Sequence, residues 1–71
     1  MAPLSPAQIA GLKLRMLIQK NYKSQQEFAD DYGLDLRVVN RYINQGITKV
    51  PTIQELAMLF NIEFIDFFHL D

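Results

Sequence analysis

Apolar residues recur along this chain at helical spacing, and nowhere do they alternate for long at the period of a strand. Over 6–21, Ile9, Leu12, Met16 and Leu17 share one side of a helix, and Leu14 and Ile18 extend it. Ser5-Pro6-Ala7-Gln8 supplies the start: a capping serine, proline at the first helical position, and glutamine three after the cap. Gly11 is a weak helix former in the middle of this stretch. Ser24-Gln25-Gln26-Glu27 is a second capping box. It opens a helix over 25–32 with Phe28, Ala29 and Tyr32 inward, and Gly33 is placed to close it in the left-handed conformation. Asp35 fits as the cap of a third helix over 36–44. Thr52-Ile53-Gln54-Glu55 is a third capping box, predicting a helix from there through Phe60. Its inward residues are Ile53, Leu56, Ala57 and Phe60, and Asn61 is its stop. A short last helix is expected over 63–68. The fold class predicted is all-α: a compact five-helix bundle with short loops, forming one domain over 1–71.

The third helix has the clearest division of faces. At 100° per residue, Leu36, Asn40, Asn44, Arg37 and Arg41 occupy one arc of roughly 140°. Val38, Tyr42, Val39 and Ile43 fill the opposite arc without a polar intruder. A solvated face is the ordinary reading of such an arc. Arginine and asparagine without glutamate or lysine also form the side-chain set that pairs bidentately with guanine and adenine edges.

Charge changes the picture once it is divided by position. The net charge is −1 over 71 residues, yet every basic residue lies between Lys13 and Lys49. From Thr52 onward the chain has Glu55, Glu63, Asp66 and Asp71 and no lysine or arginine. A phosphate-binding face needs local positive charge, not a positive total. Glu27, Asp30, Asp31 and Asp35 interrupt the basic part and count against affinity for DNA. With no cysteine, neither disulfides nor a thiolate metal site can supplement the core, and a reducing cytoplasm is the expected location. No apolar run reaches membrane-spanning length, and MAPLSP does not read as a signal peptide.

Two short helices joined at Gly33, the second with an Arg/Asn face, make a helix-turn-helix over 24–44. Here the sequence resembles the lambdoid phage repressor and Cro type of helix-turn-helix domain, also called XRE-like. The resemblance spans about 9–68. It rests on Ser24-Gln25-Gln26-Glu27-Phe28-Ala29, then Gly33, Val39, Asn44, Gly46, Pro51 and Glu55-Leu56-Ala57. It implies a recognition helix over 36–44 lying in the major groove, with Leu36, Arg37, Asn40 and Arg41 facing base edges. It also implies backbone contacts from Ser24, Gln25, Asn44 and Lys49, and an N-terminal arm over 1–5. The chain departs from the family in three ways. Leu36 fills a slot that is often polar, Gln45 looks like an inserted residue, and Ile18 with Ile43 replaces a common arginine–glutamate pair between the first and third helices.

Other chemistry finds little footing. His69 is the only histidine; it shares a helical face with Asp66 but has no nucleophile beside it. Asp30 and Asp31 diverge around their helix, and Gly11, Gly33 and Gly46 form no phosphate-cradling loop. No enzyme, cofactor, metal or small-molecule substrate is expected, and no membrane partner. The tail is richer in apolar residues than a short helix can bury on one side. Phe64, Ile65, Phe67 and Phe68 are therefore expected at an interface within 52–71, with a second copy or another protein. Two functions fit these expectations. One is a sequence-specific transcriptional regulator that binds a double-stranded DNA operator as a dimer. The other is a small phage-type antirepressor that uses the same fold to bind a repressor and binds DNA little.

Overall fold

The computed structural model describes residues 4–70; residues 1–3 and 71 lie outside it, and with them most of the expected arm. Four α-helices follow in order: α1 (Pro6–Asn21), α2 (Gln25–Tyr32), α3 (Leu36–Gln45) and α4 (Val50–Leu59). A 3-10 helix (Phe64–Phe68) follows α4. The fold is an all-α bundle, and its fifth helix is the tighter 3-10 form, not a further α-helix. Five residues are too few for α-helical propagation to repay nucleation, and 3-10 turns are used in such short pieces.

Local signals set most of the helix ends. At α1, Ser5 Oγ accepts the Gln8 N–H and Gln8 Oε1 accepts the Ser5 N–H, a complete capping box. At α2, Ser24 Oγ accepts the Glu27 N–H at 3.1 Å, which is the forward half of the expected box. At α3, Asp35 Oδ1 accepts the Arg37 N–H at 2.8 Å. Both Gly33 and Asn61 have positive φ, 67° and 58°, and close their helices in the same way. After α2, Leu34 N–H donates to Ala29 O and Gly33 N–H to Asp30 O. After α4, Ile62 N–H donates to Ala57 O and Asn61 N–H to Met58 O. Each closure satisfies carbonyls that the helix end would otherwise leave open.

The expected start of α4 is corrected. The helix begins at Val50, with Lys49 as its cap and Pro51 in its first turn, and no side chain makes a capping hydrogen bond. Proline is suited to the first turn because it has no N–H to lose there. Thr52 is consequently already inside the helix, its N–H donating to Lys49 O.

The core gathers Ala10, Leu14 and Ile18 of α1, Phe28 and Ala29 of α2, and Val39 of α3 with Ile47 beyond it. Ile53, Leu56 and Ala57 of α4 and Phe67 complete it. Tyr42 and Phe60 pack against it half-buried, as do Tyr22, Tyr32 and Ile43. Phe28 ties three segments together. Its ring stacks on Phe60 at 5.5 Å and meets Tyr22 at 5.4 Å and Tyr32 at 5.1 Å.

The buried face of α1 is a second correction. Ile9, Leu12, Met16 and Leu17 are only half-buried, while Ala10, Gly11, Lys13, Leu14 and Ile18 are buried. The reason is the crossing with α3. A Cβ on Gly11 would lie 2.3 Å from the Tyr42 carbonyl oxygen, so the two backbones are nearly in contact there. Only small residues fit such an approach, and Ile9 or Met16 turned inward would force the helices apart. Just past α3, Ile47 N–H donates to Ala7 O at 3.0 Å and fastens the crossing.

Candidate nucleic-acid interface

Helix α3 holds the residues expected to read bases, and its orientation is fixed from behind. Val39 is fully buried, and Tyr42 and Ile43 pack on the core from the same arc. The opposite arc presents Arg37, Arg41 and Asn44, all exposed. Leu36 and Asn40 are half-buried. They lie at the edge of the arc nearest Ile43, so the outermost part of the surface is shifted toward Arg37, Arg41 and Gln45. Gln45 is exposed and was not among the expected site residues.

Arg37 and Arg41 are held differently. Arg37 Nη2 lies 3.3 Å from Asp35 Oδ2, while Asp35 Oδ1 accepts the Arg37 backbone N–H. Those bonds hold the Asp35 carboxyl below its ordinary pKa of 3.8, the backbone N–H first and the guanidinium second. Among the described residues Arg41 has no carboxylate partner.

Arg41 instead lines a recess of about 280 Å³ with Gln45, Thr48, Lys49 and Thr52, beside the start of α4. Two cations, two hydroxyls and a helix start without a side-chain cap make this recess favourable to an anion. Lys49 was expected to contact a backbone; Gln45, Thr48 and Thr52 are additions. The signal for them lay in their closeness in sequence to Lys49, but the early start of α4 was needed to bring Thr52 alongside Arg41.

Ser24 and Gln25 stand at the start of α2. They line a recess of about 340 Å³ with Lys23 and Gln19. Ser24 also borders a second, open recess with Glu27, Asp30 and Asp31. Those three carboxylates are exposed on the arc of α2 opposite Gln25 and Ala29. Gln26 donates to Asp30 at 2.8 Å and Tyr22 donates to Asp31 at 2.9 Å. The Tyr22 phenol is held above the ordinary tyrosine range, first by the neighbouring Tyr32 hydroxyl, then by burial and by Asp31.

The tail divides. Phe67, expected at an interface, is fully buried and belongs to the core. Phe68 is half-buried and packs on that core, with its ring 5.4 Å from Phe64 edge-on. Phe64 and Ile65 are exposed, Ile65 to 64%. The most exposed large apolar side chain among the described residues was not expected at all: Met58, on the outer side of α4, at 79%.

Among the described residues no three His, Cys, Asp or Glu side chains gather to hold a metal, and no helix is long and apolar enough to cross a membrane. Compared with protein families, with curated proteins and with solved structures, the chain matches none.

Proposed function

We propose that this chain is a sequence-specific DNA-binding transcriptional regulator of the phage repressor and Cro type. In this reading α2, Gly33 and α3 form the helix-turn-helix, and α3 lies in the major groove. The observation that carries the reading is the division of α3. Arg37, Arg41 and Asn44 are exposed together on one arc, while Val39, Tyr42 and Ile43 lock the other to the core. Arg37 and Arg41 pair with guanine edges, and Asn40 reaches an adenine from the rim of the arc. Leu36, beside it, covers a thymine methyl. Ser24, Gln25, Asn44 and the recess at Lys49 take the flanking phosphates. The carboxylates of α2 face away from Gln25 and the core side of that helix, but Ser24 borders the recess they line, so they count against a phosphate at Ser24 more than at Gln25.

The test is a fluorescence titration of a labelled random duplex across salt concentrations, followed by selection of preferred sequences from a random duplex pool. Binding should weaken steeply with salt. Arg37→Ala or Arg41→Ala should cost about 1–3 kcal/mol at the selected site and relax discrimination there. Lys49→Ala should weaken binding to all sequences alike and flatten the salt slope by about one. Absence of salt-dependent duplex binding would sink the reading.

The exposed Met58, Phe64 and Ile65 favour a second reading, in which the chain binds a repressor-type protein. Under it, Leu36→Ala and Ile65→Ala would abolish activity while Arg37→Ala and Arg41→Ala leave it intact. The same apolar residues serve a homodimer in the preferred reading, which sedimentation at micromolar concentration would reveal.

A further inference from the structure

We infer that Asp35 is a specificity-determining residue that aims Arg37, so that the two side chains together read a guanine and the base pair beside it. The inference rests on the DNA-binding reading of α3. Its basis is a closed local ring: one carboxylate takes the Arg37 backbone N–H at 2.8 Å and the Arg37 guanidinium at 3.3 Å. Capping alone would not call for this residue. An asparagine or serine oxygen caps a helix as well as a carboxylate does. A carboxylate adds negative charge to a face proposed to meet phosphates, which lowers affinity for every sequence. Stability does not account for it either, because the pair is exposed, 88% at Arg37 and 51% at Asp35, and such pairs contribute little.

Orientation does account for it. A free arginine side chain samples many rotamers before it finds a base edge. Tied at one Nη to Asp35, the Arg37 guanidinium is drawn back toward the start of α3, the end from which this type of helix contacts bases. A guanidinium has five N–H donors, so the remaining ones are still available for guanine O6 and N7. The half-exposed carboxylate retains acceptor capacity toward an exocyclic amino group, cytosine N4 or adenine N6, on the adjoining pair. Arg41 is the internal contrast: one turn further along, it has no carboxylate among the described residues to aim it. Discrimination should accordingly be sharper at the base read by Arg37 than at the one read by Arg41.

The experiment is selection from a random duplex pool with the wild-type chain, Asp35→Asn, Asp35→Ser and Arg37→Ala, each checked for helicity by circular dichroism. Both Asp35 variants keep a capping oxygen and lose the ion pair. They should bind bulk random duplex at least as tightly as wild type, with an unchanged salt slope. They should lose roughly tenfold in discrimination at the bases that Arg37→Ala also relaxes. Adding Asp35→Asn to Arg37→Ala should cause no further loss at the guanine, and a further loss only at the adjoining base pair. The inference is overturned if the Asp35 variants select the same sequences as wild type while Arg37→Ala does not, an outcome that leaves the DNA-binding reading standing. Equal weakening on all duplexes, or loss of helicity in both variants, would mark Asp35 as a cap only and overturn it too. If the wild-type chain neither binds nor selects duplex, the inference falls together with the reading it rests on.

Discussion

Gly33 and Gly46 bracket α3, and both have positive φ, 67° and 94°. Their surroundings differ completely. A methyl group on Gly33 would meet nothing within 4 Å. One on Gly46 would lie 2.7 Å from the carbonyl carbon and oxygen of Ala7. Gly11, on the facing helix, is closer still to the Tyr42 carbonyl. The turn before α3 thus needs its glycine for backbone conformation only, whereas the crossing after it rests on the near contact of two backbones. The first is a local property and the second a tertiary one, and substitutions should separate them.

Gly11→Ala should have the largest effect. The obstacle is a backbone carbonyl, which cannot rotate away like a side chain, so α1 and α3 must separate. A loss of about 3 kcal/mol or more is expected, read as a lowered urea midpoint. Gly33→Ala should cost only about 1–2 kcal/mol, the strain of a left-handed residue in open space. Gly33→Asn should cost less than that, since Asn61 already closes α4 in the same conformation. If Gly11→Ala proves milder than Gly33→Ala, the contrast between the two junctions is wrong.

Acid should sharpen the contrast from the other side, because Asp35 belongs to the turn junction. Its carboxyl has a depressed pKa in the folded chain, so its contribution is complete above the ordinary value of 3.8 and is lost as pH falls through the depressed one. Whatever small stability the carboxylate adds over Asp35→Asn should therefore shrink below about pH 3.8. Urea midpoints measured at neutral pH and near pH 3 would show it. The smallest effect is expected from Tyr22, which joins the end of α1 to Asp31 of α2. Its pKa is raised, so its contribution is intact below the ordinary tyrosine value near 10 and fades as pH rises beyond it. Tyr22→Phe should lack this alkaline sensitivity.

The same division explains what could be read from the chain. Ser5, Ser24, Asp35, Gly33 and Asn61 act on their own neighbours, and the ends they set fall where the sequence placed them, save that α4 stops at Leu59 and not Phe60. The two arcs of α3 were equally legible, since one helix repeats its own periodicity. The face of α1 was not. Hydrophobic size favoured Ile9, Leu12 and Met16, whereas the crossing selects Ala10 and Gly11 for being small, a demand that arises only when α3 arrives. Thr52 misled for a related reason. It satisfies the capping pattern, but the helix already begins at Val50 with Pro51 in its first turn, which leaves that pattern unused. Phe67 and Ile65 are alike by composition; only the seating of the 3-10 helix buries one and exposes the other.

The bond from Ile47 N–H to Ala7 O has a consequence for how the domain opens. It joins the first turn of α1 to the segment leaving α3, residues far apart in the chain. Helix ends ordinarily fray on their own, but this one cannot loosen without releasing the base of α3. Amide exchange at Ile47 should therefore track whole-domain unfolding, making α1 and α3 a single cooperative unit. The backbone of an exposed arc mounted on such a unit is presented rigidly, and little backbone freedom would remain to be lost on binding.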